Sequence, residues 1–164
     1  MQKVTLLCVG KMKEKFYIEA AAEYTKRLSR CCRLTVIELP EERLPENPAP
    51  AQIEAALERE AEAIRGKLPP SSRVIALCIE GKLCSSGELA RTMAAWANGT
   101  ASGLEKQLVF LIGGSHGLHG SVKAQAWARL SMSPMTFPHH LARVMLLEQI
   151  YRAYQINAGS KYHK

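Results

Sequence analysis

Apolar residues along this chain gather into short continuous runs, separated by longer stretches with a helical repeat. Val4-Thr5-Leu6-Leu7-Cys8-Val9 is such a run, stopped by Gly10, and predicts a strand buried on both faces. From Glu14 to Arg30 the spacing turns helical, with Phe16, Ala20, Tyr24 and Leu28 on one stripe. Leu34 to Leu39 is a second β-type run. It stops at Pro40, and Pro45, Pro48 and Pro50 make the next stretch an irregular connection. Ala51 to Lys67 predicts a helix with Ile53, Ala56 or Leu57, and Ile64 facing inward, ended by Pro69-Pro70.

Arg73 to Ile79 predicts the third strand. Ser85 and Glu88 stand at the spacing of a capping box and open a helix to about Ala97, which Asn98-Gly99 and Gly103 close. Leu108 to Ile112 predicts the fourth strand, followed by a Gly-rich turn and a helix near Ser121 to Ala128. A short β-like segment, Leu130 to Met135, leads into Thr136-Phe137-Pro138, and a last helix spans roughly His140 to Gln155. Strands alternating with helices of this length predict an α/β fold, a parallel sheet covered on both faces. With no repeat and no linker, residues 1–164 read as a single domain.

Composition narrows the function. The 164 residues are 47% apolar, enough for a sizeable core. A formal charge of +7, from 22 Lys and Arg against 15 acids, favours a polyanionic partner or an acidic surface. All 15 acids are Glu, which excludes mechanisms that require Asp, such as the catalytic-loop acid of a kinase or an EF-hand. The five Cys are odd in number and form no Cys-x-x-Cys pair, and two lie in apolar runs where Cys acts as a small hydrophobe. No signal peptide precedes Val4, and no apolar run approaches the roughly 18 residues of a membrane span. The expectation is a reducing compartment, the cytoplasm, and no membrane partner.

The candidate chemistry lies at strand ends, where open α/β sheets bind ligands. Gly113-Gly114-Ser115-His116-Gly117 lacks the Lys-Ser/Thr of a P-loop and the spacing of a dinucleotide fingerprint. Its glycines suit a tight strand-to-helix turn, or close approach of the backbone to a ligand. The same five residues match the Gly-x-Ser-x-Gly nucleophile elbow, with Glu148 and His163 following in the order of a serine hydrolase. His116 and His119, or His139 and His140, do not supply the three or four ligands a metal needs, so no metal is expected. Ser133-Pro134-Met135-Thr136-Phe137-Pro138 is a stiff loop with exposed carbonyls. It runs into a helix whose charges, Arg143, Glu148 and Arg152, are expected at solvated positions, with Glu148 paired to a nearby Arg or capping a dimer contact. An apolar final helix on a small domain also calls for cover from a second copy. The basic, aromatic end, Lys161-Tyr162-His163-Lys164, reads as a disordered tail or as a surface for phosphate contact and base stacking.

These residues together resemble a known family. Val9-Gly10-Lys11, Leu77-Cys78-Ile79-Glu80-Gly81-Lys82, Ile112-Gly113-Gly114 with Gly117-Leu118, Met135-Thr136-Phe137-Pro138-His139, Arg143-Val144, Glu148-Gln149-Ile150-Tyr151-Arg152-Ala153 and Tyr162-His163-Lys164 occur in the same order over essentially the whole chain. The sequence is similar to the SPOUT-class methyltransferases of the RlmH type, which modify N3 of pseudouridine in large-subunit ribosomal RNA. The resemblance implies an α/β fold with a deep C-terminal trefoil knot, a homodimer, and the ribosome or its large-subunit RNA as partner. It implies S-adenosylmethionine as methyl donor, held at Leu77, Gly114, Ser133, Pro134, Met135, Thr136, Phe137 and Pro138. It removes Ser115 as a nucleophile. Arg152, Tyr162 and His163 become the candidate catalytic residues, facing the RNA, with His163 as proton acceptor. A serine hydrolase using Ser115 and a non-catalytic RNA-binding module stand as the alternatives.

Overall fold

The computed structural model describes residues 1–98 and 107–163; the expected turn glycines Gly99 and Gly103 and the terminal Lys164 lie outside them. Five strands, β1 (Lys3–Val9), β2 (Arg33–Leu39), β3 (Arg73–Leu83), β4 (Gln107–Ile112) and β5 (Ala128–Ser131), form one parallel sheet in the order β2-β1-β4-β3-β5. They are joined by α1 (Lys15–Leu28), α2 (Pro50–Lys67), α3 (Ser86–Asn98), α4 (Gly120–Gln125) and α5 (His139–Asn157).

The two-residue side-chain period of a strand splits the central apolar runs between two cores. Leu6, Cys8, Leu108 and Phe110 meet α1, α3 and α5 on one face, while Leu7, Val9, Val109 and Leu111 meet α2 and the Leu118–Val122 segment on the other. The edge strand β2 is half exposed, with Val36 open to solvent. Leu146, Leu147, Ile150 and Ala153 of α5 are buried in the first of these cores. These four residues of α5 find cover within the chain, while Leu141, Val144 and Met145 stay partly exposed.

Local bonding accounts for where the elements start and stop. Ser85 and Glu88 make the reciprocal capping box: Ser85 N donates to Glu88 Oε2 at 2.8 Å and Glu88 N to Ser85 Oγ at 3.2 Å. On α1, Leu28 is buried and Tyr24 packs on the core, but Phe16 is 63% exposed. There Tyr17, not Phe16, faces the start of α5, its ring 6.4 Å from that of His140. The expected helix to Ala128 ends at Gln125, because Ala128 pairs with Ile75 and opens β5. Nor does that strand reach Met135. Ser131 Oγ donates to Ser133 O and Met135 N donates to Ser133 Oγ, both at 3.0 Å, and these local bonds replace a ladder. Strand β3 runs past Ile79 to Leu83, with a break in register that sets both Leu77 and Lys82 opposite Leu130. Gly81 makes the break possible: a Cβ there would lie 2.6 Å from the Leu130 carbonyl carbon.

Candidate functional site

The part of β3 at its register break and the loops beyond the carboxyl ends of β4 and β5 line an open cavity of ≈ 780 Å³. Small-molecule sites typically occupy about 300–1,000 Å³. Leu77 reaches it from the break in β3, Gly114 from the turn after β4, and Ser133, Met135, Thr136, Phe137 and Pro138 from the loop before α5. Pro134 belongs to the same loop but is exposed and not part of the wall. Seven of the eight positions expected to hold the donor thus face one space. The Pro138 carbonyl is not free, since it accepts from Ala142 N at 2.9 Å and starts α5. The backbone groups of Thr136 and Phe137 carry no hydrogen bond among the described residues. Thr136 is exposed and Phe137 half-buried, so these groups are open to water or to a ligand. The polar edge of a purine supplies matching donors and acceptors.

Of the two readings of the Gly-rich turn, the tight strand-to-helix turn is the one the hydrogen bonding shows. Gly117 N donates to Gly114 O at 3.1 Å, with Gly117 at φ +79°, and a Cβ on Gly113 would lie 2.2 Å from the Gly117 carbonyl oxygen. The space a Cβ on Gly114 would take is filled by protein: the Glu41 carboxylate, with Oε1 at 2.6 Å. Glu41 Oε1 accepts from Ser115 N at 2.6 Å. Burial works against ionisation of Glu41, but the Ser115 amide and hydroxyl outweigh it and hold the carboxyl below its ordinary range. Glu41 follows Pro40 in an irregular stretch, and no motif marks it in the sequence.

Ser115 is therefore tied to a carboxylate, not an imidazole. Glu148 and His163, its expected triad partners, lie with Arg152 toward the far end of α5. At about 1.5 Å per residue, Glu148 lies about 9 Å and Arg152 about 15 Å along the helix from Ala142 at the cavity wall. The hydrolase arrangement does not assemble in this chain.

Arg143, expected among solvated charges, is 3% exposed. Its Nη1 donates to Glu38 Oε2 at 2.5 Å and its Nη2 to Gly10 O at 2.7 Å, while Met12 N donates to the same Glu38 oxygen at 3.1 Å. One buried cation thus fastens the loop after β1 to β2 and α5. Burial opposes ionisation of Glu38, yet Arg143 and the Met12 amide hold its carboxyl below the usual range. Burial pushes the neighbouring Cys8 thiol up to about 12. The histidines divide by role. His139 lines the cavity and lies over Gly10, and burial together with His140 pushes its pKa down. His140 pairs with Glu14, and His119 caps α4 by accepting from Ser121 N at 3.2 Å. No cluster of three or more His, Cys or Glu able to hold a metal occurs among the described residues.

The three candidate catalytic residues also come together, away from the cavity. Arg152 donates from Nε and Nη2 to Glu148 Oε1 at 3.0 and 2.7 Å, and Tyr162 OH donates to the same oxygen at 3.2 Å. The guanidinium lies 4.8 Å from the Tyr162 ring centre, and its Nη1 is 3.5 Å from His163 Nδ1. Tyr162 also packs edge-on against Tyr151 at 5.1 Å. Burial and the Glu148 carboxylate raise the Tyr162 pKa, so its hydroxyl stays protonated near neutral pH. Tyr162 and His163, read as part of a tail or contact surface, are in this way held against α5.

Among the described residues no helix is long and apolar enough to cross a membrane. Two solved structures share the fold. One is a probable methyltransferase from Bordetella pertussis Tohama I, with a TM-score of 0.57 and 16% identity over 93% of this chain and 96% of that one. The other is a probable methylase family protein from Haemophilus influenzae Rd KW20, with a TM-score of 0.52 and 15% identity over 99% of this chain and 71% of that one. A family model described as "Predicted SPOUT methyltransferase" matches residues 2–163. The chain belongs to the SPOUT methyltransferase family, enzymes that take the methyl group from S-adenosylmethionine.

Proposed function

We propose that this protein methylates N3 of a pseudouridine in large-subunit ribosomal RNA, with the assembled ribosome as substrate. In this reading residues 1–164 form one catalytic domain, its C-terminal part is tied in a trefoil knot, and it works in the cytoplasm as a homodimer. The observation that carries the reading is the meeting of Leu77, the Gly114 turn and the Thr136–Phe137 backbone around one cavity. When bound there, adenosylmethionine supplies an electrophilic methyl carbon, whose bond to sulfur breaks with the electron pair left on sulfur.

What the chain must add is alignment and a place for one proton. The cavity walls would hold the donor, and alignment alone lowers such barriers substantially. The pseudouridine imide N3 becomes nucleophilic as its proton leaves. Arg152 offers a fixed positive charge that favours the resulting anion. His163 turns Nδ1 toward Arg152, which leaves Nε2 to take the proton. Because this cluster lies roughly 15 Å along α5 from the cavity wall, it serves the cavity of a second copy in a dimer. Exposed Phe16 and Ile18 on α1 offer apolar surface for that pairing.

The test combines purified protein, assembled ribosomes whose large-subunit RNA lacks the modification, and isotopically labelled adenosylmethionine. Digestion and mass spectrometry should find label in methylpseudouridine. Removal of residues 162–164 should abolish turnover while donor affinity stays within a few-fold. Label in another nucleoside, or undiminished turnover by the shortened chain, would overturn the substrate or the catalytic assignment respectively.

A further inference from the structure

Most of the cavity wall is apolar or neutral. Among the described residues, its lining includes one acidic side chain, Glu80 from the break in β3, and one lysine, Lys123 from α4. The two histidines on the wall are His116 and His139, and burial pushes His139 toward its neutral form. Glu80 and Lys123 are ion-paired, Nζ to Oε1. The Lys123 side chain is only 25% exposed, so its stem lies along protein while its ammonium meets the cavity. The hydrogen bond from Lys123 holds the Glu80 carboxyl below its usual range, so it is a carboxylate at neutral pH.

A site of this composition fits one part of the methyl donor well. Its adenosine portion is uncharged and suits the Leu77, Phe137 and main-chain walls. Its amino-acid end is a zwitterion, one carboxylate and one ammonium on the same carbon. We propose that Lys123 and Glu80 form the clamp for that zwitterion, Lys123 receiving the carboxylate and Glu80 the ammonium. The inference rests on the reading of this cavity as the donor site. An existing ion pair opens at little cost here, because each partner exchanges one opposite charge for another and the ligand arrives with both. The pair is partly exposed, so in the empty site it contributes little to folding. Recognition of the ligand is its main effect.

Three ligands separate the clamp from the rest of the site. Adenosylmethionine has sulfonium and zwitterion, adenosylhomocysteine has the zwitterion alone, and methylthioadenosine keeps the nucleoside and sulfur with no amino acid. Calorimetric titration of the unaltered protein, Lys123→Met, Lys123→Arg and Glu80→Gln reads the clamp without turnover. Lys123→Met should weaken adenosylhomocysteine at least tenfold, about 1.4 kcal/mol, with methylthioadenosine within twofold. Glu80→Gln should weaken adenosylhomocysteine several-fold and spare methylthioadenosine, while Lys123→Arg should retain most of the affinity. Equal losses for both ligands, or unchanged adenosylhomocysteine binding in Lys123→Met, would overturn the clamp and leave the donor site standing. If the unaltered protein binds none of the three, the donor-site reading falls and takes the clamp with it.

Discussion

The contact between Gly114 and Glu41 makes a prediction whose size follows from geometry. In Gly114→Ala the new Cβ would stand 2.6 Å from Glu41 Oε1 and 2.8 Å from its Cδ, so the carboxylate must leave. It then gives up its 2.6 Å bond from Ser115 N. A hydrogen bond to a charged group is worth about 1.5–3 kcal/mol. Against that, the loss of glycine freedom in the unfolded chain returns about 0.4–1 kcal/mol, since Gly114 has no positive φ. The net cost is about 1–2 kcal/mol, or about 2–8 °C in Tm for a chain of this size. In a Glu41→Ala background the obstruction is absent, and Gly114→Ala should be neutral or slightly stabilising. The coupling between the two changes is therefore about 2 kcal/mol. Gly113→Ala is the control: its Cβ would strike the Gly117 backbone at 2.2 Å, and removing Glu41 should not help it. Urea unfolding of the four Gly114/Glu41 combinations at one fixed protein concentration measures the coupling. Additive effects, or rescue of Gly113→Ala by Glu41→Ala, would refute the reasoning.

Two further outcomes follow from the buried charges. The folded pKa of Glu38 lies below its unfolded value near 4.5, so its pairing with Arg143 stabilises the protein fully above that pH. That contribution is lost as pH falls through the folded value. Glu38→Gln should therefore be less stable than the unaltered protein at pH 7, and the gap should close in acid; a gap independent of pH would contradict the pairing. Burial raises the Cys8 thiol to about 12 and Cys32 to about 11, so both should be the last of the five free cysteines alkylated at pH 8. Early labelling of Cys8, followed by mass spectrometry of peptides, would show that the core under Arg143 opens.

Much of the fold was legible because the central strands β1 and β4 are uninterrupted apolar runs, a direct consequence of burial on both faces. Ser85 and Glu88 gave the start of α3 from spacing alone. Element ends were harder where tertiary pairing decides, as at Ala128, which the periodicity assigns to a helix and β3 recruits into the sheet. Of the site, the loop before α5 and the Gly-rich turn could be found from Pro and Gly punctuation. Their partners could not. Glu41 and Glu38 reach Ser115 and Arg143 over long separations in sequence, and no local pattern encodes such a pair. Lys123 reads as an ordinary surface lysine until α4 sets it beside the bend of β3.

The central claim is that the cavity between Leu77, the Gly114 turn and the loop before α5 receives the methyl donor. A crystal structure of the protein with adenosylhomocysteine tests it most directly. The account predicts the adenine edge hydrogen-bonded to main-chain groups at Thr136 and Phe137. Ligand density elsewhere on the molecule, or those groups left facing solvent beside a bound ligand, would contradict it.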